Sequence, residues 1–349
     1  MTPYFHAYKK DDLDLFIRPR PGETKLGEVV SVPGELPLKT FLETTPASFV
    51  VIGVAEDIGV LANYGNPGTD TAWRLFLRAF LNIQSNEFTG AHTITVIGHL
   101  SFDALKLKIE KMPINPEEKV DEYRNAVTII DNAVEELIQL IVSHRKIPIV
   151  VGGGHNNCYP IIKGTATALA LTKAGNTKAI NCVNLDAHID YRTAEGRHSG
   201  NGFRYAKQEG FLRKYFALGV HENYMHQDVL EELHNSDEIA FITYEDIFIQ
   251  QRKLWVKALE EATAFMGNLH TGIELDLDSI EYLPSSAATP CGVTSREALQ
   301  YVSHIASHCK VGYLHICEGI ASKEDALVGK LITYVVTTFI KNITLGTHG

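Results

Sequence analysis

The chain lacks long apolar runs, dense basic segments and paired cysteines. Its apolar stretches fall short of the roughly 18 residues that a membrane-spanning helix needs, so we expect no membrane contact. A net charge of −10 without clustered lysine or arginine argues against a nucleic-acid partner. Five cysteines without a Cys-x-x-Cys pair are typical of reduced thiols. The first residues show no apolar signal segment, so we expect a cytoplasmic protein.

What remains is ordinary for a folded protein, with 45% hydrophobic and 21% charged residues. Short apolar, β-branched runs alternate with helical patterns, which predicts one α/β domain with a mainly parallel sheet of about eight strands. We expect residues 1–47, which contain several prolines, to form an irregular arm and residues 48–349 to form a single catalytic domain. The predicted strands cover residues 49–54, 93–97, 148–151, 179–185, 215–220, 239–242, 271–275 and 311–316.

Three helices stand out between these strands. Residues 120–144 carry apolar side chains at three-to-four spacing, which predicts an amphipathic helix. Thr294 and Glu297 have the spacing of a capping box, which predicts a helix that continues to residue 308. A similar pattern at residues 322–325 predicts a last helix that ends near residue 339.

The segment Asp186-Ala-His188-Ile-Asp190 directly follows an apolar run. Side chains on a β-strand alternate between the two faces, so these three potential metal ligands are expected on one face. Two carboxylates and an imidazole form a hard oxygen and nitrogen donor set, which suits Mn²⁺, Zn²⁺ or Fe²⁺.

Two further predicted strands end in residues of the same kind. One runs into three glycines and then His155, and the other ends in Asp276-Leu-Asp278. The carboxyl ends of parallel strands share the edge of the sheet where ligands bind. Zinc alone usually takes four ligands, so six donors predict a two-metal centre with a shared carboxylate. The candidate ligands are His155, Asp186, His188, Asp190, Asp276 and Asp278.

Each of these residues also has a purely structural interpretation. His155 or Asp278 could cap a turn or helix, and Asp190 could pair with Arg192 or Arg197 on a solvated loop. Six such coincidences at the ends of three strands are far less plausible than one. The two-metal interpretation is therefore favoured.

The three motifs, in this order, resemble those of the arginase/ureohydrolase family. The resemblance covers approximately residues 49–321 and implies a three-layer α/β/α fold with two Mn²⁺ ions per chain. It also places the six candidate ligands at the metal-binding positions of that family. Such a centre would lower the pKa of a water molecule that attacks an amidine or guanidine carbon.

Within the family, several segments resemble the formimidoylglutamase branch. They are the Gly-Gly-Gly-His turn at 152–155, the Ser-Gly-Asn-Gly-Phe-Arg segment at 199–204 and the loop at 276–293. The segment at 63–68 resembles the early glycine-rich loop on the substrate side of the whole family. Phe203 stands where an arginase would have an active-site histidine. The resemblance therefore implies hydrolysis of N-formimidoyl-L-glutamate to L-glutamate and formamide.

The sequence departs from the branch at several positions. Asn156 follows the first candidate ligand where the branch often has an acidic residue, and Glu274 stands where many relatives have serine. These departures leave the candidate metal ligands intact but leave the substrate open. A guanidino hydrolase of the arginase, agmatinase or guanidinase type is the alternative, and a catalytically silent metal-binding paralogue is a further one.

We predict the following roles around the metal ligands. Asp190 carries a proton to the leaving nitrogen, and Glu318, at the end of the last predicted strand, pairs with the cationic amidine. Ser199, Asn201 and Arg204 bind the substrate carboxylates, because an arginine matches a carboxylate bidentately. The expected partner is a small amidine or guanidine substrate, and we expect a homo-oligomer.

Overall fold

A mainly parallel sheet of nine strands runs through the residues that the structure describes. The structure is a computed structural model and describes residues 2–172, 178–321 and 326–346. Within these ranges, no helix has both the length and the apolar character needed to cross a lipid bilayer. The strands are β1 (Phe5–Ala7), β2 (Phe49–Ala55), β3 (Ile94–Ser101), β4 (Ile147–Val151), β5 (Ile180–Leu185), β6 (Leu212–Val220), β7 (Ile239–Thr243), β8 (His270–Asp276) and β9 (Lys310–Cys317).

The order of the strands brings four of them together at the centre. Across the sheet the order is β1-β3-β2-β4-β9-β8-β5-β6-β7, and only β1 is antiparallel to its neighbour. The neighbours β4, β9, β8 and β5 therefore end side by side at one edge. The eight strands predicted from the sequence are all present, and β1 is the additional one.

Helices cover both faces of the sheet. One core contains the apolar faces of α5, α11, α12 and α13, and the other contains those of α3, α7, α8, α9 and α10. The chain therefore has the predicted three-layer α/β/α fold. The helices are α1 (Lys10–Asp14), α2 (Leu26–Val29), α3 (Leu38–Thr44), α4 (Ile58–Leu61), α5 (Ala72–Phe80), α6 (Asp103–Glu110), α7 (Pro116–Ser143), α8 (Cys158–Thr172), α9 (Gly202–Gln208), α10 (Gln227–His234), α11 (Trp255–Met266), α12 (Ser295–His308) and α13 (Leu327–Gly346).

Local sequence signals explain where the long helices begin. Asn115 accepts a hydrogen bond from the Glu118 N–H at 2.9 Å, and Pro116 occupies the first turn of α7. Thr294 caps α12 in the same way, as the capping box predicts. The capping pattern predicted at residues 322–325 lies outside the described residues.

The N-terminal arm is more ordered than its prolines suggest. Residues 2–47 contain β1 and helices α1–α3. Leu13 and Leu26 are fully buried in one core, while Phe41 packs in the other. The arm therefore adds an edge strand to the sheet and contributes to both cores.

Candidate metal centre

His155 is positioned by a glycine turn at the end of β4. Gly152 and Gly153 have φ angles of +94° and +78°, a conformation that glycine adopts without strain. The chain then enters a 3₁₀ turn (His155–Asn157), which places the His155 side chain in a fully buried position below the sheet edge.

The sequence suggested that the alternation of side chains along a strand would bring Asp186, His188 and Asp190 together. The structure brings them together in a different way. Strand β5 ends at Leu185, before the first of them. Asp186 Oδ1 instead accepts the His188 backbone N–H at 2.7 Å, and Asp190 has a φ of +46°. This tight loop contains a left-handed residue and brings all three side chains into the ligand cluster, at a cost in backbone strain that is common at functional sites.

At the end of β8, the third segment contains the same kind of hydrogen bond from a backbone N–H to an aspartate side chain. Asp276 is the last residue of the strand, and its Oδ1 accepts the Asp278 N–H at 2.7 Å. Asp278 belongs to the following 3₁₀ turn (Leu277–Ser279). Both carboxylates are almost completely buried.

The six predicted ligands form two overlapping donor groups. His155 Nδ1 lies 3.2 Å from Asp186 Oδ2, 2.9 Å from Asp190 Oδ2 and 3.1 Å from Asp276 Oδ2. His188 Nδ1 lies 3.5 Å from Asp186 Oδ1 and 4.0 Å from Asp278 Oδ2. Asp186 faces both imidazoles with different oxygens. This arrangement fits two ions that share a bridging carboxylate.

The electrostatics of the cluster favour a bound cation. Burial and the negative charge of Asp186 raise the pKa of Asp190 and of Asp276, because several buried carboxylates are crowded together. Burial opposes protonation of His188, but the surrounding carboxylates, Asp186 first, raise its pKa to about 9. Divalent cations would neutralise these charges, so the donor set fits metal ions chemically.

Glu318 lies directly after β9 and faces the same cluster. Its φ is +63°, and its Oε1 accepts the His155 backbone N–H at 2.6 Å. Its Oε2 is buried without a hydrogen-bond partner among the described residues. Burial and the nearby Asp278 raise the Glu318 pKa to about 8. A cationic group placed beside Oε2 would satisfy this carboxylate.

A cavity of about 290 Å³ opens above the cluster. Asp190, Asp276, Asp278 and Glu318 form its acidic floor, and residues from several loops form its walls. The full lining is Val60, Asn63, Gly65, His188, Ile189, Asp190, Arg192, Ser199, Gly200, Tyr224, His226, Asp276, Asp278, Ser286, Ala287 and Glu318.

One of the three predicted carboxylate-binding residues lies in this cavity. Ser199 lines it, and its Oγ accepts a hydrogen bond from Asn63 Nδ2 at 3.1 Å. Asn201 is fully buried away from the cavity. Its amide accepts from Arg197 Nη1 at 2.8 Å and donates to the Gly196 carbonyl at 2.7 Å. Asn201 therefore anchors the loop that carries Ser199.

Arg204 does not lie where the sequence suggested. It is not among the cavity-lining residues, and its Nε donates to the carbonyls of Tyr191 and Arg192 at 3.0 and 2.7 Å. Its Nη2 lies 2.9 Å from Glu232 Oε2. The guanidinium thus holds α9 and α10 against the loop. The geometry does not favour Arg204 as a direct substrate contact.

The arginine that lies in the cavity is Arg192 and not Arg204. It lines the cavity, and its Nη1 donates to Asn63 Oδ1 at 3.1 Å. Tyr224 also lines the cavity and stacks on the His188 ring at 5.0 Å between centroids. The sequence did not indicate that either residue lines the cavity, although the glycine-rich loop at 63–68 did point to the wall that contains Asn63.

These features define a class: three-layer α/β/α proteins with two imidazoles and four carboxylates at the carboxyl edge of a parallel sheet. Sequence comparison gives the same answer, because the profile of the arginase family matches residues 47–319. The chain belongs to the arginase family and is a hydrolase. Its predicted resemblance to formimidoylglutamases is also confirmed.

Individual relatives support the assignment. A formimidoylglutamase of Streptococcus pyogenes is 25% identical over 325 residues, which cover 89% of this chain and 86% of that protein. The crystal structure of Trypanosoma cruzi formiminoglutamase with two Mn²⁺ ions has a TM-score of 0.69 at 19% identity and covers 92% of this chain and 98% of its own. Bacillus subtilis formimidoylglutamase has a TM-score of 0.70 at 16% identity and covers 97% and 99%. The two structures show the shared fold.

Proposed function

We propose that this protein is a Mn²⁺-dependent hydrolase that converts N-formimidoyl-L-glutamate and water into L-glutamate and formamide. The observation that carries this proposal is that one cavity is lined by four of the six candidate ligands, together with Arg192 and with Glu318, which has an unpaired carboxylate oxygen. Such a cavity is suited to a substrate with a cationic amidine and an anionic tail. The relatives from S. pyogenes, T. cruzi and B. subtilis carry the same activity in their names.

The metal assignment follows from the two donor groups. His155, Asp186, Asp190 and Asp276 would hold one ion, since their ligand atoms lie within 4.8 Å of one another. His188 and Asp278 would hold the second, with Asp186 shared. Bound divalent ions supply Lewis-acid chemistry and lower the pKa of water toward neutrality. Carboxylate and imidazole donors suit Mn²⁺.

Two side chains act on the substrate: one orients the amidine, and the other carries a proton to the leaving nitrogen. Glu318 Oε2 accepts a hydrogen bond from the protonated amidine, a contact that a charged acceptor makes strong. Asp190 lines the cavity with a carboxylate whose Oδ2 lies 2.9 Å from His155 Nδ1, and it can take up the proton that the attacking water loses as it bonds to the amidine carbon. It then passes this proton to the nitrogen that leaves as the amine of glutamate.

The glutamate tail is held by the cavity wall. Arg192, Asn63 and Ser199 form a connected group of hydrogen-bonding side chains. A hydrogen bond to a charged group contributes about 1.5–3 kcal/mol. At 1.4 kcal/mol per factor of ten, one such bond gives on the order of 10- to 100-fold preference for a substrate with the matching carboxylate.

A guanidino hydrolase is the second candidate, because Arg192 is the one arginine among the lining residues whereas N-formimidoylglutamate has two carboxylates. The test is a substrate panel on the Mn²⁺-loaded enzyme, with N-formimidoyl-L-glutamate, L-arginine, agmatine and free guanidine. We expect the first to be hydrolysed with the highest kcat/KM, and the Asp190→Asn variant to serve as the inactive control. A higher value for any of the other three would refute the proposed substrate and leave the fold unchanged.

A further inference from the structure

A carboxylate that belongs to neither donor group lies behind the metal-facing side of His155. Glu274 is fully buried in the centre of β8, and its Oε2 lies 3.5 Å from His155 Nε2. We propose that Glu274 is a positioning residue that holds the Nε2 proton of His155 and so directs Nδ1 toward the first metal ion. This inference rests on the metal centre of the proposed function, but not on its substrate.

The two nitrogens of His155 face different surroundings. Nδ1 is within 3.2 Å of three carboxylate oxygens, those of Asp186, Asp190 and Asp276. A neutral imidazole carries one proton, so when Nδ1 binds a metal ion the proton resides on Nε2. A fully buried N–H needs an acceptor. His155 Nε2 makes no hydrogen bond among the described residues, and the carboxylate oxygen that faces it is Glu274 Oε2, 3.5 Å away.

Glu274 is itself held by two donors from the neighbouring strand. Tyr313 Oη donates to Glu274 Oε1 at 2.6 Å, and His315 Nδ1 lies 2.5 Å from Oε2. Glu274 and His315 are paired residues of β8 and β9, so their side chains lie next to each other on one face of the sheet. All three side chains are fully buried. The carboxylate therefore has little freedom to turn away from His155.

Gly272 of β8 leaves space for the Tyr313 ring. Any side chain at this position would collide with the Tyr313 ring, whose hydroxyl reaches Glu274. Phe203 packs against the His155 ring edge-on, with the centroids 5.1 Å apart and an angle of 85°. These contacts limit rotation of the imidazole, and the carboxylate selects which nitrogen keeps the proton.

The charge on Glu274 gives the contact a function beyond packing. A carboxylate that accepts the second N–H of a metal-bound histidine makes the imidazole a stronger ligand and fixes its orientation. Loss of such a partner typically weakens metal binding about 10- to 100-fold. The effect should be largest at the ion that His155 holds.

Cys317 offers a rival acceptor. Its Sγ lies within 4.8 Å of ligand atoms on His155 and His315, which makes these three residues a possible soft metal site. A thiol is a weaker hydrogen-bond acceptor than a carboxylate. The two interpretations predict opposite results for substitutions of Glu274 and Cys317.

The experiment measures Mn²⁺ binding to the full-length protein by isothermal titration calorimetry, without substrate. We expect Glu274→Gln to weaken one of the two ions 10- to 100-fold and to change the other much less. Tyr313→Phe should weaken the same ion by a smaller factor, which keeps the test available if Glu274→Gln does not fold. Glu260→Gln, on the exposed face of α11, is the matched control and should bind both ions like the wild type.

Three results with the two expected ions would overturn the inference, and a fourth concerns an additional ion. They are unchanged Mn²⁺ affinity in Glu274→Gln, equal weakening of both ions, and a loss in Cys317→Ala that Glu274→Gln does not share. Binding of a third ion that disappears in Cys317→Ala would also overturn it, because His155 Nε2 would then be a ligand. Since no substrate is present, failure of the substrate panel alone would leave the Glu274 result standing.

Discussion

Removing one partner of the buried ion pair between Arg197 and Asp131 should strongly destabilise the fold. Both side chains are almost fully buried, with Arg197 Nε 2.9 Å and Nη2 3.3 Å from the two Asp131 oxygens. Removing one partner of such a pair leaves a buried charge and costs about 3–5 kcal/mol. Arg197 keeps neutral acceptors at Asn201 Oδ1 and the Asn156 carbonyl, both 2.8 Å away. We therefore expect Asp131→Ala to lie near the lower limit, about 3 kcal/mol.

Urea unfolding followed by circular dichroism measures this loss. A loss of about 3 kcal/mol in the free energy of unfolding lowers the ratio of folded to unfolded protein on the order of 100-fold. Lys257→Ala is the control, because its exposed pair with Glu260 should contribute less than about 1 kcal/mol. If Asp131→Ala cost no more than the control, the argument from buried charge would be refuted.

Three further predictions concern the cavity and a distant histidine. Asp190→Asn should keep the fold but lose most of its turnover, because it removes a ligand charge and the proton carrier; near-normal kcat would mean that another residue moves the proton. Arg192→Ala should raise KM for N-formimidoylglutamate about 10- to 100-fold. Arg204→Ala should chiefly lower the midpoint of unfolding. The reverse pattern would identify Arg204 as the residue that contacts the carboxylate. Burial lowers the pKa of His99 from its ordinary 6.5 to about 4, so the unfolded chain binds the proton first and stability should fall as the pH drops from 6.5 to 4. His99→Asn should flatten this slope in urea titrations at several pH values, and an unchanged slope would contradict the assignment.

The sequence predicted the strands because their residues are buried on both faces. In β5 all six residues are buried, and only Asn181 and Asn184 interrupt its apolar run, so the strand is easy to recognise. The six candidate ligands could be predicted for a related reason. Parallel strands end at one edge, so polar residues that directly follow β4, β5 and β8 must lie near one another.

Local backbone geometry was harder to predict. Asp190 and Glu318 have positive φ angles, which a period-two pattern cannot anticipate. The loop between β5 and α9 has no regular repeat, so the direction of Arg192 depends on its tertiary contact with Asn63. The direction of Arg204, at the start of α9, likewise depends on its contact with Glu232. The sequence alone therefore could not show that Arg192, and not Arg204, lines the cavity.

The buried hydrogen-bond network behind His155 could not be predicted from the hydrophobic pattern of the sequence either. The sequence showed Glu274 only as a residue that stands where many relatives have serine. Its partners Tyr313 and His315 come from a strand more than thirty positions away, and only the β8–β9 register brings them together. A residue pairing of this kind is set by sheet order, which local sequence does not reveal.

The most direct test of the central claim is a crystal structure of the Mn²⁺-soaked protein with anomalous scattering recorded at the manganese edge. The account predicts two anomalous peaks in each chain. One should lie against His155, Asp186, Asp190 and Asp276, and the other against His188, Asp186 and Asp278. A single peak, or two peaks away from these side chains, would contradict the two-metal centre on which the proposed chemistry depends.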